Sequence, residues 1–136
     1  VGKMVKKTFS TSWKGSKKPE KKRKYYFKAP LHVKTRFLSA HLSKELKKKY
    51  GFRSFPLRKG DKVKVMRGAF KKQTGIVERV DHKKIRVYVK GAEITKKDGS
   101  KIIKPIHPSN LEITELNLND KKRVEKLESK INRQKQ

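Results

Sequence analysis

Between Gly68 and Gly75 the chain reads GAFKKQTG, a glycine-bounded loop whose Lys71 and Lys72 offer ammonium groups to an anion. Both glycines can adopt φ > 0 and let the backbone approach a ligand closely. Phosphate binding is the chemistry such a loop suits; proton transfer and nucleophilic attack are not. The histidines His32, His41, His82 and His107 are scattered, and none has metal-ligand spacing to another. Asp61 and Asp81 sit at expected strand ends, where neighbouring lysines suffice to account for them. Glu112 and Glu115 fall in a strand-like run, so their carboxylates need not converge. No Walker loop, nucleophile elbow or paired-carboxylate pocket is legible. The chain reads as a non-enzyme that needs no cofactor and no metal.

Strands must hold that loop. Val63 and Val65 alternate with Lys62 and Lys64, while Ile85, Val87 and Val89 alternate with Arg86, Tyr88 and Lys90. This period of two turns an apolar face inward and a basic face outward. After Gly91, AEIT and KIIKPIH are strand-like and flank KKDGS, where Asp98-Gly99 fits a tight turn. Pro105 suits an edge strand, which needs no amide donor. Pro108-Ser109-Asn110 makes a turn, and LEI with Leu116 and Leu118 supplies a last strand. The expectation for residues 57–118 is a small β-barrel of about five short strands.

The composition limits what such a unit can be. Only 32% of the 136 residues are hydrophobic and 39% are charged, so a core of about 60–70 residues is the most the chain can build. Its 41 Lys+Arg against 12 Asp+Glu give a formal net charge of +29, which opposes compaction unless a polyanion neutralises it. The charge is concentrated: residues 1–92 carry +25 of the total and residues 93–136 only +4. Nucleic acid fits better than a membrane, because no helix with a broad apolar face carries these cations. Cysteine is absent, which excludes disulfides and thiol chemistry. No apolar run approaches the roughly 20 residues of a membrane span, and no hydrophobic segment follows the basic N-terminus as in a secretory signal. An intracellular protein is expected.

Residues 1–29 have too few aliphatics for a core and read as a basic extended arm, disordered when free and ordered on binding. Phe9, Trp13, Tyr25 and Tyr26 lie among its lysines. Aromatics so placed can stack on unpaired bases, at about 1–3 kcal/mol per base. Trp13 is assigned to RNA or partner contact, whereas Tyr25, Tyr26 and Phe27 suit docking on the protein's own domain equally well. Residues 30–56 read as a short helical segment. Pro30 suits a first helical turn ahead of LHVKTRFLS. A second helix is expected from Ser43 to Tyr50, with Ser43 as cap, Glu45 in the first turn and Gly51 to close it. Over 119–136, Asp120 can cap a final helix with a narrow stripe of Val124, Leu127 and Ile131, solvated or facing a partner.

The run from Lys59-Gly60-Asp61 through Val63, Val65, Gly68 and the lysine pair to Thr74-Gly75-Ile76-Val77 resembles the KOW motif, a β-module of ribosomal proteins and transcription elongation factors. Gly75 stands at that motif's signature position. The resemblance implies a mainly β fold, a small Src-homology-3-like barrel carrying the arm, two short N-terminal helices and a C-terminal helix. An elongation or chromatin factor is the alternative, but such factors carry a further domain for which there is no room here.

PLHV, LSKEL, KYG, RSFPLRKGD and HPSNL extend the likeness over roughly residues 5–118. With these the chain resembles the large ribosomal subunit protein 24 family in its archaeal and eukaryotic form, numbered 26 in eukaryotes. His41 stands where many relatives are expected to have proline. The resemblance implies a cytoplasmic structural protein that binds large-subunit rRNA and neighbouring large-subunit proteins. It also implies early action in assembly and a place near the polypeptide exit tunnel, with neither membrane nor small-molecule substrate as partner. The barrel's share of RNA binding is assigned to Lys62, Arg67, Lys71, Lys72, Gly75, Lys83, Lys84 and Arg86. Arg36, Arg53 and Arg58 can bind phosphate bidentately or stack on bases, and His32 and Lys34 lie beside them. Along the arm, Lys3, Lys6, Lys7, Lys14, Lys17, Lys18, Lys21, Lys22, Arg23 and Lys24, with Trp13, would thread between rRNA segments.

Overall fold

The computed structural model describes residues 9–136, so Lys3, Lys6 and Lys7 lie outside the described residues. In chain order the helices are α1 (Pro19–Lys28), α2 (Leu31–Phe37), α3 (Lys44–Tyr50) and α4 (Lys121–Lys135). The strands are β1 (Ser39–Leu42), β2 (Ser54–Pro56), β3 (Lys62–Val65), β4 (Thr74–Asp81), β5 (Arg86–Thr95), β6 (Lys101–Ile106) and β7 (Leu111–Glu115). They form one sheet in the order β2-β1-β7-β3-β4-β5-β6, antiparallel throughout except where β1 runs parallel to β7.

The alternation at 62–65 and 86–90 does what its period requires. Val63, Val65, Val87 and Val89 are buried, and join Val77, Leu111, Ile113, Leu38, Leu42 and Phe55 in the core. Ile85 is the exception: it sits in the β4–β5 turn at φ 55, not in the strand. Such a conformation is costly for a β-branched side chain. β5 runs on through Gly91 (φ 97), where the pairing with β6 shifts register, so AEIT continues this strand and does not begin another. The Asp98-Gly99 turn forms as expected: Gly99 (φ 88) donates its N–H to the Lys96 carbonyl, and Lys96 donates to Ser100. Pro105 lies in β6 at the edge of the sheet, where its missing amide costs no ladder bond.

Two N-terminal expectations are corrected. The arm is not extended between 11 and 28: Thr11–Gly15 form a 3-10 turn and Pro19–Lys28 a helix. Pro19 is pre-set for the first helical turn, Glu20 suits its positive end, and Lys24 closes an i,i+4 pair with Glu20 at 3.0 Å. Tyr25 and Tyr26 then pack edge-on against Phe37 of α2, at 5.6 and 4.9 Å between ring centroids, while Phe27 stays exposed. The segment 30–56 is also not wholly helical, because Ser39–Leu42 and Ser54–Pro56 are strands. β1 bonds to β2 on one side and to β7 on the other, which raises the strand number from about five to seven. Its pattern, SAHL, is too short for a period to be read from sequence.

α3 begins and ends where expected. The Ser43 side chain accepts from Leu46 N–H, and Gly51 (φ 79) closes the helix. α4 is capped by Asp120, whose carboxylate accepts from Lys122 N–H. This helix is packed on the sheet and not merely solvated: Arg123 and Leu127 are buried and Ile131 leans on the core.

Candidate nucleic-acid interface

Basic side chains are available to a ligand only where the fold does not use them. Loop 66–73, at the tip of the β3–β4 hairpin, is braced from within. Val65 N–H donates to Gln73 O (2.8 Å), Lys72 N–H to Val65 O (2.8 Å) and Met66 N–H to Asn110 O (2.8 Å), while Phe70 packs on the core. Gly68 (φ 96) and Lys72 (φ 71) take the left-handed conformations that the tight path needs. Arg67, Lys71 and Lys72 project from this frame, exposed and without a carboxylate partner among the described residues.

Gly75 has a different job from the one its motif position suggested. It lies in β4, and a Cβ there would meet the Lys90 carbonyl oxygen at 2.4 Å and Val89 Cγ1 at 2.8 Å. The glycine lets β4 close on β5; the near backbone is the protein's own. Gly68, by contrast, has the positive φ and open space beside it.

A second basic cluster forms at the opposite end of β4, about 25 Å away by strand rise. Asp81 organises it: its carboxylate accepts from the N–H groups of Lys83 (3.0 Å) and Lys84 (3.1 Å). These bonds, that from Lys84 first, hold the Asp81 carboxyl below the usual range. Lys83 and Lys84 are left exposed. Lys34 of α2 is buried with Nζ donating to the Lys83 carbonyl (3.3 Å), which ties α2, and with it exposed His32 and Arg36, to this turn. Arg86 is half-buried and bonds the Ile85 carbonyl.

Other assigned cations are partly committed. Arg58 pairs with Asp120, and Lys62 with Glu115 at 3.2 Å. Lys24 pairs with Glu20, and Arg53 donates to His41 Nδ1 at 3.3 Å. Lys21 lies 5.7 Å over the Trp13 ring, and Trp13 itself meets Phe9 edge-on. Lys14, Lys17, Lys18, Lys22 and Arg23 are exposed along the N-terminal layer.

Sequence reasoning missed two features. Asp61 is not accounted for by neighbouring lysines: it is fully buried, and its carboxylate takes Arg123 Nη1 at 2.5 Å and Nη2 at 2.6 Å. It also accepts from the N–H groups of Arg58 and Asn117, both at 2.9 Å. Arg123 further donates to the Asn117 and Pro56 carbonyls and lies 5.4 Å over the Phe55 ring; its Nε alone has no acceptor among the described residues. The second is Arg79, whose guanidinium stacks 4.2 Å from the Tyr88 ring across the β4–β5 pair. Only the register that sets Arg79 beside Tyr88 could have revealed it.

Known proteins resemble this chain over most of its length. Residues 16–130 match the family model of ribosomal proteins that describes L26 in eukaryotes and its L24-type counterpart in archaea. The chain is 50% identical over 116 residues to large ribosomal subunit protein uL24 of Methanosphaera stadtmanae, covering 85% of this chain and 99% of that protein. It is 50% identical over 115 residues to uL24 of Korarchaeum cryptofilum, covering 85% and 88%. With uL24 of Methanoculleus marisnigri the identity is 50% over 112 residues, covering 82% and 93%.

Proposed function

This chain belongs to the family of eukaryotic L26 and archaeal L24-type ribosomal proteins, structural and not enzymatic, and we propose that it holds large-subunit rRNA through two basic clusters and its N-terminal layer. As a constituent of the cytoplasmic large ribosomal subunit, it meets folded rRNA and neighbouring ribosomal proteins. The β3–β4 hairpin and its loop act as a KOW module within a barrel-like sheet. The reading is carried by the division of labour among cations. Arg123 and Lys34 are buried and spent on the fold and Arg58 is partly committed to Asp120, whereas Arg67, Lys71, Lys72, Lys83 and Lys84 stand exposed on braced turns.

Clusters roughly 25 Å apart, on either end of one strand, suit contact with phosphates of separate RNA segments more than reading of one sequence. Lys14, Lys17, Lys18, Lys22 and Arg23 add a third face, and its screening of phosphate repulsion lets the RNA compact. A role in early assembly and a position near the polypeptide exit tunnel complete the proposal.

The test is a crosslinking map in native cell extract with the bound RNA sequenced. Reads concentrated in large-subunit rRNA, with crosslinks in loop 66–73, turn 82–85 and the N-terminal layer, are expected. Reads spread over nascent transcripts, with ribosomal fractions empty, would overturn the reading.

A further inference from the structure

We propose that the groove between α2, the β2–β3 linker, β4 and the start of α4 receives one unstacked nucleotide of the bound RNA. The proposal rests on the rRNA-binding reading and adds a site that the two clusters do not include. The groove has a volume of about 880 Å³, within the range of pockets that enclose a small organic ligand. Pro56 and Val80 give it an apolar wall against which a base can lie flat. Asn119 lies on the lining with an amide side chain that makes no hydrogen bond among the described residues, so both its donor and its acceptor can meet a base edge. Lys59, Arg79 and Lys126 line it too, all exposed and without a carboxylate partner among the described residues.

Arg79 is the anchor. Its cation–π contact with Tyr88, 4.2 Å from the ring centroid, restrains the side chain before any ligand arrives, which lowers the ordering cost of a bidentate phosphate contact or a stack on a base. Of the two exposed carboxylates on the lining, Asp120 is already occupied by Arg58, and Glu78 alone faces Lys59, Arg79 and Lys126, which leaves the cations in excess there. A nucleotide supplies what the lining asks for: a flat apolar face, a polar edge and an anion. An acidic peptide supplies only the last. Duplex RNA presents a convex ridge of phosphates and keeps its bases stacked, so it cannot fill a concave site.

The test uses the full chain, a hexaribonucleotide carrying one 4-thiouridine, an RNA duplex of equal length and hexaglutamate as competitor. Photo-crosslinks are expected in the segments around Arg79 and Asn119. Arg79→Met should weaken hexamer binding about tenfold, the loss of one stacked base, and leave duplex binding unchanged. Arg79→Lys, which keeps the charge and loses the plane, should recover little of it. Asn119→Ala, a change at an exposed site with no effect on charge, should weaken the hexamer several-fold without altering the melting curve.

Crosslinks confined to loop 66–73, with Arg79→Met and Asn119→Ala both binding normally, would overturn the groove and leave rRNA binding standing. Displacement by hexaglutamate as effective as by unlabelled hexamer would also overturn it, in favour of an acidic protein partner. Failure of the unmodified chain to retain either RNA, or large-subunit rRNA, would instead bring down the functional reading beneath it.

Discussion

The carboxylate of Asp61, at the start of β3, receives both terminal nitrogens of Arg123, 62 residues later in α4, at 2.5 and 2.6 Å. Both side chains are buried, and the same carboxylate also fastens the backbone of Arg58 and Asn117. One acid therefore joins the linker before β3, the exit from β7 and the C-terminal helix. Removing one member of a buried pair leaves the other charge uncompensated, at a cost of about 3–5 kcal/mol. Asp61→Ala should be the more damaging change, because two backbone amides lose their acceptor as well. Urea unfolding midpoints should show both single losses, with the double variant losing less than their sum. Additive losses would mean that the pair does not act as a unit.

Gly75→Ala should destabilise by about 3 kcal/mol, because the added methyl collides with the Lys90 carbonyl and β4 cannot move away without opening the β4–β5 pair. Gly68→Ala meets open space and carries only the strain of its positive φ, about 1 kcal/mol. Thermal melts distinguish the two. RNA affinity per folded molecule should be the same for Gly75→Ala as for the parent, since this glycine serves packing.

Replacing Arg67, Lys71 and Lys72 together by Ala should weaken binding to large-subunit rRNA and lower the salt dependence of log K by about 1 for each phosphate no longer neutralised. Lys62→Ala should have a smaller effect, since Lys62 already pairs with Glu115. Filter binding across a salt series measures both. Equal slopes for the triple variant and the parent would remove the loop from the interface.

Phe37→Ala should release α1. Tyr25 and Tyr26 dock edge-on against Phe37, at about 0.5–1.5 kcal/mol for each aromatic pair. Hydrogen exchange should then quicken in residues 19–28 while β3, β4 and β7 stay protected. Unchanged exchange in α1 would mean that another part of the structure holds it.

His107 makes the fold sensitive to mild acid. Burial first, and the Arg86 charge second, hold its pKa below 6.5, and its Nδ1 accepts from Ser109 N–H at 3.2 Å in the neutral form. The unfolded chain therefore takes up this proton more readily than the folded one. Its contribution is complete above pH 6.5 and is lost as pH falls below that value through the folded pKa. Urea midpoints measured downward from neutral pH should fall less steeply in His107→Asn. NMR titration of the ring should place its midpoint under 6.5.

What could be read without coordinates was what one strand or one helix end determines locally. The alternation of Val63 and Val65 with lysines, the Asp98-Gly99 turn, Ser43 and Gly51 around α3 and the Asp120 cap follow from interactions within a few residues. The excess of cations, and hence a polyanion partner, followed from composition alone, because charge needs no geometry to repel itself. Neighbouring lysines were enough to account for Asp61 in the sequence, and its pairing with Arg123 was invisible there, since a pair 62 residues apart has no local signature. The same limit hid β1, whose partners are β2 and β7, and the stacking of Arg79 on Tyr88, which depends on register. Local chemistry set the strands, turns and net charge. Which cations were withdrawn into the fold, and which were left exposed, was decided mostly by long-range packing, because Lys34, Arg58, Lys62 and Arg123 all meet their partners at least 49 residues away.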